Sequence, residues 1–525
     1  MALVLLVAPL AANAPLFDPD EGLHAAIAQE MVLRGDYVTP TFLGEPFLDK
    51  PILFFWAEAA SLRVFGHHEF AVRLPPLVFG LLGMIGVAAL GRAMFDEAIG
   101  LVSGIAYGTM LLPLGVSQVA VHDIAVVPFM CAACVAIVRT SVASPPVAST
   151  FRWNAAVLAG VALGLSILTK GLVGVVFTGV LGVCLAVHTP RAIVRIAIAL
   201  TIAGLIAILV ALPWYVAMER AHPGYLHYYF VERHLQGYLT ATQRHAGRGW
   251  WYYIPIVIGG TLPWTGYLAG AARLAFGSRM RLVVWGWFLA GFVFLSAGES
   301  KLVTYVLPLF PALAILVGDR IVSAGAFAGR AAYAVFVASL AIVPIAALAA
   351  VAIKFGGVTS SYWAIVSLAG AAVAAIAIRI RPPAGSVDAR APAVLWMPLI
   401  PLCALLVVTR LAASWMTARD LSAAVNAGGT LPPHVSVLDE RIGSLIFYLA
   451  PPLRADATPD RIDEATIAEA VSRIRVEPAD AVLAVRADQM PRFSRLFAVM
   501  PAAAAHAGTF TLFRIGALRE ALPAR

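Results

Sequence analysis

The chain has 525 residues, 61% of them hydrophobic and 13% charged, with a mean hydropathy of +0.86. Soluble domains are about half apolar and about one quarter charged, so a soluble globular protein is excluded. The net charge of +8 does not mark a nucleic-acid partner, because all but four of the 37 basic residues are Arg and most sit in short loops between apolar runs, where they set membrane orientation.

The first apolar run, Ala2 to Ala12, is short for a span and lacks the basic leader of a secretory signal. It reads as a clipped first transmembrane helix. A polar loop, 18–73, follows. It opens with Asp18-Pro19-Asp20-Glu21 and continues as a helix-like stretch from Gly22 to Arg34, whose Ala25, Ile27, Ala28, Met31 and Val32 form an apolar face. Acidic residues in a first helical turn suit the helix dipole, so Asp20 and Glu21 read equally as caps or as chemistry. Phe47-Leu48-Asp49-Lys50-Pro51 then leads into a second amphipathic stretch, Ile52 to Val64, with Trp56. Two such segments can lie along the membrane surface and hold their polar ends over a lipid headgroup.

Further apolar runs cover residues 74–92, 98–116, 123–139, 154–169, 171–188, 196–217, 252–272, 282–298, 302–318, 331–353, 361–378 and 393–413. With the first, they make about thirteen transmembrane helices of roughly 20 residues each. The expected fold is therefore an all-α polytopic membrane protein. With the amino end in the cytoplasm, the six cytoplasmic loops carry Arg92; Arg139 and Arg152; Arg191 and Arg195; Arg273, Arg279 and Arg281; Arg320 and Arg330; and Arg379, Arg381 and Arg390. Every one is basic, as the positive-inside rule requires. The external face then receives the 18–73 loop, the 218–251 loop and the tail.

That tail divides the chain into a membrane domain, 1–413, and a soluble domain, 414–525. It is richer in charge and proline, and its β-like runs Val435–Leu438, Ala481–Val485 and Thr509–Phe513 alternate with a helical pattern from Asp463 to Val476. A small external α/β domain is expected. It has no phosphate-binding glycine loop and no paired metal ligands, which favours a docking or lid role. The four cysteines lie inside apolar runs and argue against a disulfide framework.

Charges near membrane depth mark sites or pathways by default. Three of the four lysines, Lys50, Lys170 and Lys301, fall on the external face, where few are expected. Snorkelling explains any one of them. Three together favour a shared anionic ligand, most simply a lipid phosphate.

Pro19-Asp20-Glu21, Glu30-Met31, Gly35-Asp36-Tyr37 and Phe47-Leu48-Asp49-Lys50-Pro51 before Phe55-Trp56 resemble the first periplasmic loop of aminoarabinose transferases and protein O-mannosyltransferases. These are GT-C glycosyltransferases that use polyprenyl-phosphate sugars. The resemblance continues through Thr169-Lys170-Gly171, Phe230 to Leu235, Trp250 to Pro255, Leu262-Pro263-Trp264 and Ser300 to Pro308. It implies that Asp20 is the catalytic carboxylate with Glu21 beside it, and that Lys50 binds the donor phosphate. Asp123, Lys170, Lys301 and Tyr305 would border the same cavity. Asp49 and His234 stand where some relatives hold zinc, although two ligands fall short of the four of a closed zinc site, which favours His234 as a hydrogen-bonded loop histidine. Where aminoarabinose transferases commonly have Arg, three residues after the Asp, this chain has Leu23, with His24 next.

The expected activity is inverting transfer of a sugar from undecaprenyl phosphate to a periplasmic acceptor, with an aminoarabinose-like sugar and lipid A favoured by the resemblance. A protein or polysaccharide acceptor is the alternative, and a lipid flippase or transporter the competing class. Related halves and helices broken at the midplane, which mark transporters, are not evident in the sequence. No cofactor is required, no nucleotide-binding motif occurs, and the expected state is a monomer in the bacterial inner membrane, in contact with its lipids. The topology has its own test. A reporter active only outside the cytoplasm should be active when fused after Arg525 and silent near Arg195 or Arg390, whereas an inactive fusion after Arg525 on a stable protein would remove the odd span count.

Overall fold

The structure, a computed structural model, describes residues 14–141, 151–240, 247–323, 330–355, 359–379, 408, 412–413, 415–438 and 442–522. The apolar run at 2–12 and nearly all of that at 393–413 lie outside the described residues. Among the described residues, eight helices are long and apolar enough to cross a membrane, and the chain is a multi-pass helical membrane protein.

The first loop supplies α1 (Asp20–Arg34), a hairpin of β1 (Thr41–Phe42) and β2 (Glu45–Pro46), and α2 (Leu53–Phe65). The spans α3 (Glu69–Met94), α6 (Asp123–Ser141), α7 (Trp153–Lys170) and α9 (Ile193–Ala221) are long helices. Between them come α4 (Glu97–Thr109), α5 (Leu111–Val116) and α8 (Val173–His188). The expected single run at 98–116 is thus two helices, divided at Met110, whose extended backbone (ψ 139°) breaks the helical path. The 252–272 run divides in the same way into α10 (Tyr253–Gly260) and α11 (Thr265–Leu274). Pro263 and its preceding residue lie in that gap, where helical geometry is disfavoured. Next come α12 (Arg279–Ala297), a 3₁₀ segment Val303–Leu309 that runs into α13 (Phe310–Ser323), and the pair α14 (Arg330–Phe355) and α15 (Ser360–Arg379).

Small residues bring the spans together. Gly100 and Gly104 of α4 face Ala88 of α3, and Gly160 and Gly164 of α7 face Ile206 and Val210 of α9. A methyl group at any of the four would collide with the neighbouring helix. Between lipid-solvated helices this close approach gains van der Waals contact where the hydrophobic effect gives little. The two most enclosed spans are α6, which packs against α3, α7 and α8, and the segment Val303–Ser323 that contains α13.

The tail contributes α16 (Arg419–Ala427), α17 (Gly443–Tyr448) and α18 (Ile467–Val476) around a five-stranded sheet. Its strands are β3 (Val435–Leu438), β4 (Ile462–Ala465), β5 (Val482–Arg486), β6 (Ala505–Ala507) and β7 (Phe510–Arg514), ordered β4-β3-β5-β7-β6. Strand β3 is parallel to both neighbours, and the other pairings are antiparallel. The expected helix from Asp463 begins only at Ile467. Residues 462–465 pair with β3 instead, and a capping box of Thr466 and Glu469 starts the helix.

This domain docks on the start of α1. Gly22 and Gly443 meet backbone to backbone, so that a Cβ at either would collide with the other segment. Leu421, Leu445 and Phe447 share one apolar core with Ala25, Ala28 and Phe54. Polar contacts fix the registration. The Asp18 amide donates to the Met416 carbonyl (2.7 Å), and the Asp18 carboxyl meets Ser444 through its amide (2.9 Å) and its hydroxyl. Tyr448 accepts from the Leu16 amide (3.0 Å) and donates to Glu69 (2.9 Å).

Burial pushes the Asp18 carboxyl up from 3.8 to about 7. The folded chain therefore retains a proton that the unfolded chain has released, and this group's contribution to stability falls as pH rises between those values. Asp18→Asn keeps the shape without the charge. Its melting temperature should vary less than wild type between pH 4 and 8 and exceed wild type at pH 8. A variant less stable than wild type at both ends of that range would contradict the assignment.

Candidate functional site

Asp20 opens α1 and is exposed, whereas Glu21 beside it turns inward and is 1% exposed. The Arg73 guanidinium grips Glu21 with two hydrogen bonds of 2.8 and 2.7 Å and donates as well to the Ala14 and Pro15 carbonyls. Glu21 also accepts from the amides of Phe17 (2.9 Å) and Ala120 (3.3 Å). Its carboxylate is thus used in full to anchor the start of α1, and it does not share the open side with Asp20. No side-chain cap closes α1 at its amino end, where Pro19 stands.

Several of the side chains that the sequence singled out lie near one another. His24, one turn along α1, feels the charges of Asp20, Lys50 and Asp123. Asp123 begins α6 and forms an ion pair with Lys170 at the end of α7, and Thr304 also donates to it. The Lys170 ammonium lies 4.5 Å from the centre of the Tyr305 ring, a cation–π contact. Lys301, 4% exposed, donates to the Gly298 carbonyl, and the Lys301 carbonyl accepts from Arg248 at 2.9 Å. Lys301 is thus held by its own turn and by Arg248.

Lys50 differs from the other two lysines. It is half-buried, and among the described residues no hydrogen bond or ion pair reaches its ammonium. Burial, with Lys170 and Arg233 close by, pushes its pKa below the ordinary lysine range. Asp123 and Asp49 also act on it, but each is held by another cation, so an ammonium with no carboxylate of its own is open to an anionic ligand.

Asp49 does not hold Lys50 directly. Its carboxylate accepts from the Tyr228 hydroxyl (2.5 Å) and pairs with Arg233 (2.7 Å). His234 places Nδ1 2.7 Å from the Tyr229 carbonyl, and its ring also reaches the Lys170 backbone. Burial pushes its pKa down. With a guanidinium on Asp49 and both edges of the His234 ring turned to backbone, this pair does not fit a zinc ion. Among the described residues no group of three or more His, Cys, Asp or Glu is disposed to hold a metal.

Two residues that sequence reading passed over belong to this constellation. Arg233 sits inside the quoted Phe230–Leu235 motif but drew no separate notice. His122 precedes Asp123, is 1% exposed, and stands 4.6 Å from the His24 ring centre to centre. Only their place in space marks them. Beyond Thr304 lies a cavity of about 530 Å³, lined by Leu112, Val116, Val121, Ile256, Val303 and other apolar residues between α5, α10 and the 3₁₀ segment. A charged cluster thus adjoins an apolar recess, the division of chemistry found in a phospholipid.

Residues 49–216 match the family model described as dolichyl-phosphate-mannose-protein mannosyltransferase. The chain is 32% identical over 318 residues to an undecaprenyl phosphate-alpha-4-amino-4-deoxy-L-arabinose arabinosyl transferase of Enterobacter sp. (strain 638), covering 60% of this chain and 56% of that one. A second such transferase, from Proteus mirabilis, is 30% identical over 306 residues, covering 57% and 54%. The alignments thus span about half the length of these curated relatives. In structure, the chain is similar to ArnT from Cupriavidus metallidurans bound to undecaprenyl phosphate, with a TM-score of 0.77 at 21% identity over 97% of this chain and 96% of that one. The apo form of the same ArnT gives a TM-score of 0.73. The chain therefore shares the fold of that ArnT over nearly its whole length, carboxy-terminal domain included, and is a multi-pass membrane protein.

Proposed function

We propose that this protein is an inverting glycosyltransferase. It moves a sugar from a polyprenyl phosphate, of the undecaprenyl class, to an acceptor on the periplasmic face of a bacterial inner membrane. An aminoarabinose-like sugar and lipid A are the favoured pair. The observation that carries the reading is Lys50, an ammonium without a partner among the described residues, set beside Lys170 and Arg233 and close to Asp20. The apolar recess beyond Thr304 supports a lipid-linked donor, as does the undecaprenyl phosphate bound to the similar ArnT.

The donor brings its own leaving group. Transfer requires the phosphate to be held, the anomeric carbon to be exposed, and the acceptor oxygen to approach from the opposite face. The new C–O bond forms as the old one breaks, and the configuration inverts in one displacement. Lys50 holds the phosphate and stabilises the charge that grows on it. Lys170 and Tyr305 wall the same space, with Asp123 offsetting the Lys170 charge so that cations do not accumulate unopposed. Asp20 accepts the proton of the acceptor hydroxyl as general base. Glu21 keeps Asp20 in place through Arg73. No step requires a metal.

A protein acceptor is the second reading, favoured by the family model that covers residues 49–216. Mass spectrometry of lipid A and of envelope glycoproteins from a deletion strain separates the two. Loss of a sugar from lipid A supports the first reading, and loss from proteins with intact lipid A supports the second.

Two substitutions test the residues. Asp20→Asn should lower transfer by about two to four orders of magnitude, the usual worth of acid/base catalysis. Near-normal turnover of a folded variant would refute the base assignment. Lys50→Gln should raise the donor KM and slow transfer, because the phosphate is held in both ground and transition states. Unchanged donor KM with a lowered melting temperature would instead make Lys50 a structural residue.

A further inference from the structure

His24 stands where its chemistry has no structural explanation. It is 5% exposed, on α1, four residues after Asp20. On an α-helix that spacing puts the two side chains on one face, about 5–6 Å apart at Cβ. Nδ1 lies 2.8 Å from the Ala120 carbonyl. A carbonyl can only accept, so Nδ1 carries the hydrogen and Nε2 the lone pair. The ring is wedged edge-on between Phe55 (5.7 Å between centres) and His122 (4.6 Å), which prevents it from turning. Both His122 nitrogens are sealed from solvent, whereas His24 Nε2 is not among the sealed polar atoms and has no partner among the described residues. A packed imidazole has been left with a fixed tautomer and an open basic nitrogen next to the carboxylate of the site.

We propose that His24 is a proton-relay residue for this site, taking through Nε2 the proton that Asp20 removes from the acceptor hydroxyl. The inference rests on the transfer reading above. The acceptor O–H bond breaks as its oxygen bonds to the anomeric carbon. The electron pair of the anomeric C–O bond leaves with the phosphate, which passes from a monoanionic diester to a dianionic monoester. The proton moves from Asp20 to His24 Nε2, Asp20 returns to its carboxylate, and the imidazolium balances the new phosphate charge.

The groups that face His24 fit this cycle. Asp20 on its own helix and Asp123 at the start of α6 favour the imidazolium, while Lys50 opposes it in the absence of donor. Burial lowers the His24 pKa below 6.5, so the ring is neutral and able to accept a proton at pH 7. His122, held neutral by burial and by its cationic neighbours, packs against the ring without competing for the proton. When the phosphate dianion forms beside Lys50, the opposing charge is neutralised and the imidazolium is stabilised at the moment it is needed.

The test is steady-state transfer by the full-length protein in detergent, with a synthetic polyprenyl-phosphate sugar and its acceptor, followed against pH for wild type, His24→Gln and His122→Phe. Wild-type kcat should fall as pH drops through the His24 pKa, because the protonated ring cannot accept. His24→Gln should lower kcat by about 10- to 100-fold, the smaller part of an acid/base effect since Asp20 remains. It should leave the donor KM within about twofold and abolish that acid limb. His122→Phe should keep the limb. A wild-type kcat with an unchanged acid limb in His24→Gln would overturn the relay. A packing role would instead lower the melting temperature and leave the limb in place.

Should His24→Gln fail to fold, wild type alone decides. Its kcat must fall as pH drops below 6.5 and the ring takes up a proton, and a kcat that stays level there overturns the relay. Wild type that turns over no polyprenyl-phosphate sugar would remove the transfer reading and the relay with it. Turnover with a level kcat below pH 6.5 removes the relay only.

Discussion

The arrangement depends on one buried ion pair, Glu21 with Arg73. Two charges held at 1% and 5% exposure are tolerated only because every polar atom is engaged: Glu21 by Arg73 and the Phe17 and Ala120 amides, Arg73 by Glu21 and the Ala14 and Pro15 carbonyls. Pairs of this kind add little net stability, but removing one partner strands the other and costs about 3–5 kcal/mol. The consequence is positional. The pair ties α1 to the root of α3 and to the turn before α6, three segments distant in sequence. Asp20 leaves α1 one residue before this anchor, so the carboxylate of the site inherits the rigidity of the ion pair. The carboxy-terminal domain adds a second clamp through Ser444, Tyr448 and the touching glycines 22 and 443.

With α1 fixed, the distribution of charge follows a single rule. Cations near the membrane need anions. Arg73 has Glu21, Lys170 has Asp123, Arg233 has Asp49, and Arg281 has Asp319. Lys301 is met by the Gly298 carbonyl instead, whereas Lys50 has neither anion nor carbonyl among the described residues and stands near two of these pairs, Lys170 with Asp123 and Arg233 with Asp49. An interior in which all pairs closed would be a stable bundle with nothing to bind. The unmatched cation beside an apolar recess is what makes the site receptive to a lipid phosphate, since a ligand with an anionic head and an apolar tail satisfies both at once.

Much of this was legible in the sequence because membranes impose coarse rules. Runs of about 20 apolar residues report spans, and Lys50, Lys170 and Lys301 draw attention because lysine is rare in this chain. The carboxy-terminal strands showed as β-branched and aromatic runs between turn residues. What stayed hidden was pairing in space. Asp20 and Glu21 are neighbours of the same type, and only the helix geometry sends one outward and the other into Arg73. Asp49 and Lys50 look like partners by adjacency, yet Asp49 turns to Arg233 and Tyr228, almost two hundred residues away. Glu58 read as one polar residue in an amphipathic segment. It is fully buried, with neither oxygen hydrogen-bonded to a described residue, and burial holds its pKa well above the ordinary range. The break at Met110 was invisible because composition does not change across it.

The central claim is that the unmatched cation and the apolar recess together recognise a polyprenyl phosphate. The most direct measurement compares binding of an undecaprenyl monophosphate with that of the uncharged undecaprenol to the purified full-length protein, by native mass spectrometry in the same detergent. The two ligands share the tail and differ in the phosphate alone. The account predicts that the phosphate binds at least about tenfold tighter, equivalent to about 1.4 kcal/mol. Equal retention of the two would contradict it, because the lipid would then be held by its tail and Lys50 would have no part in recognition.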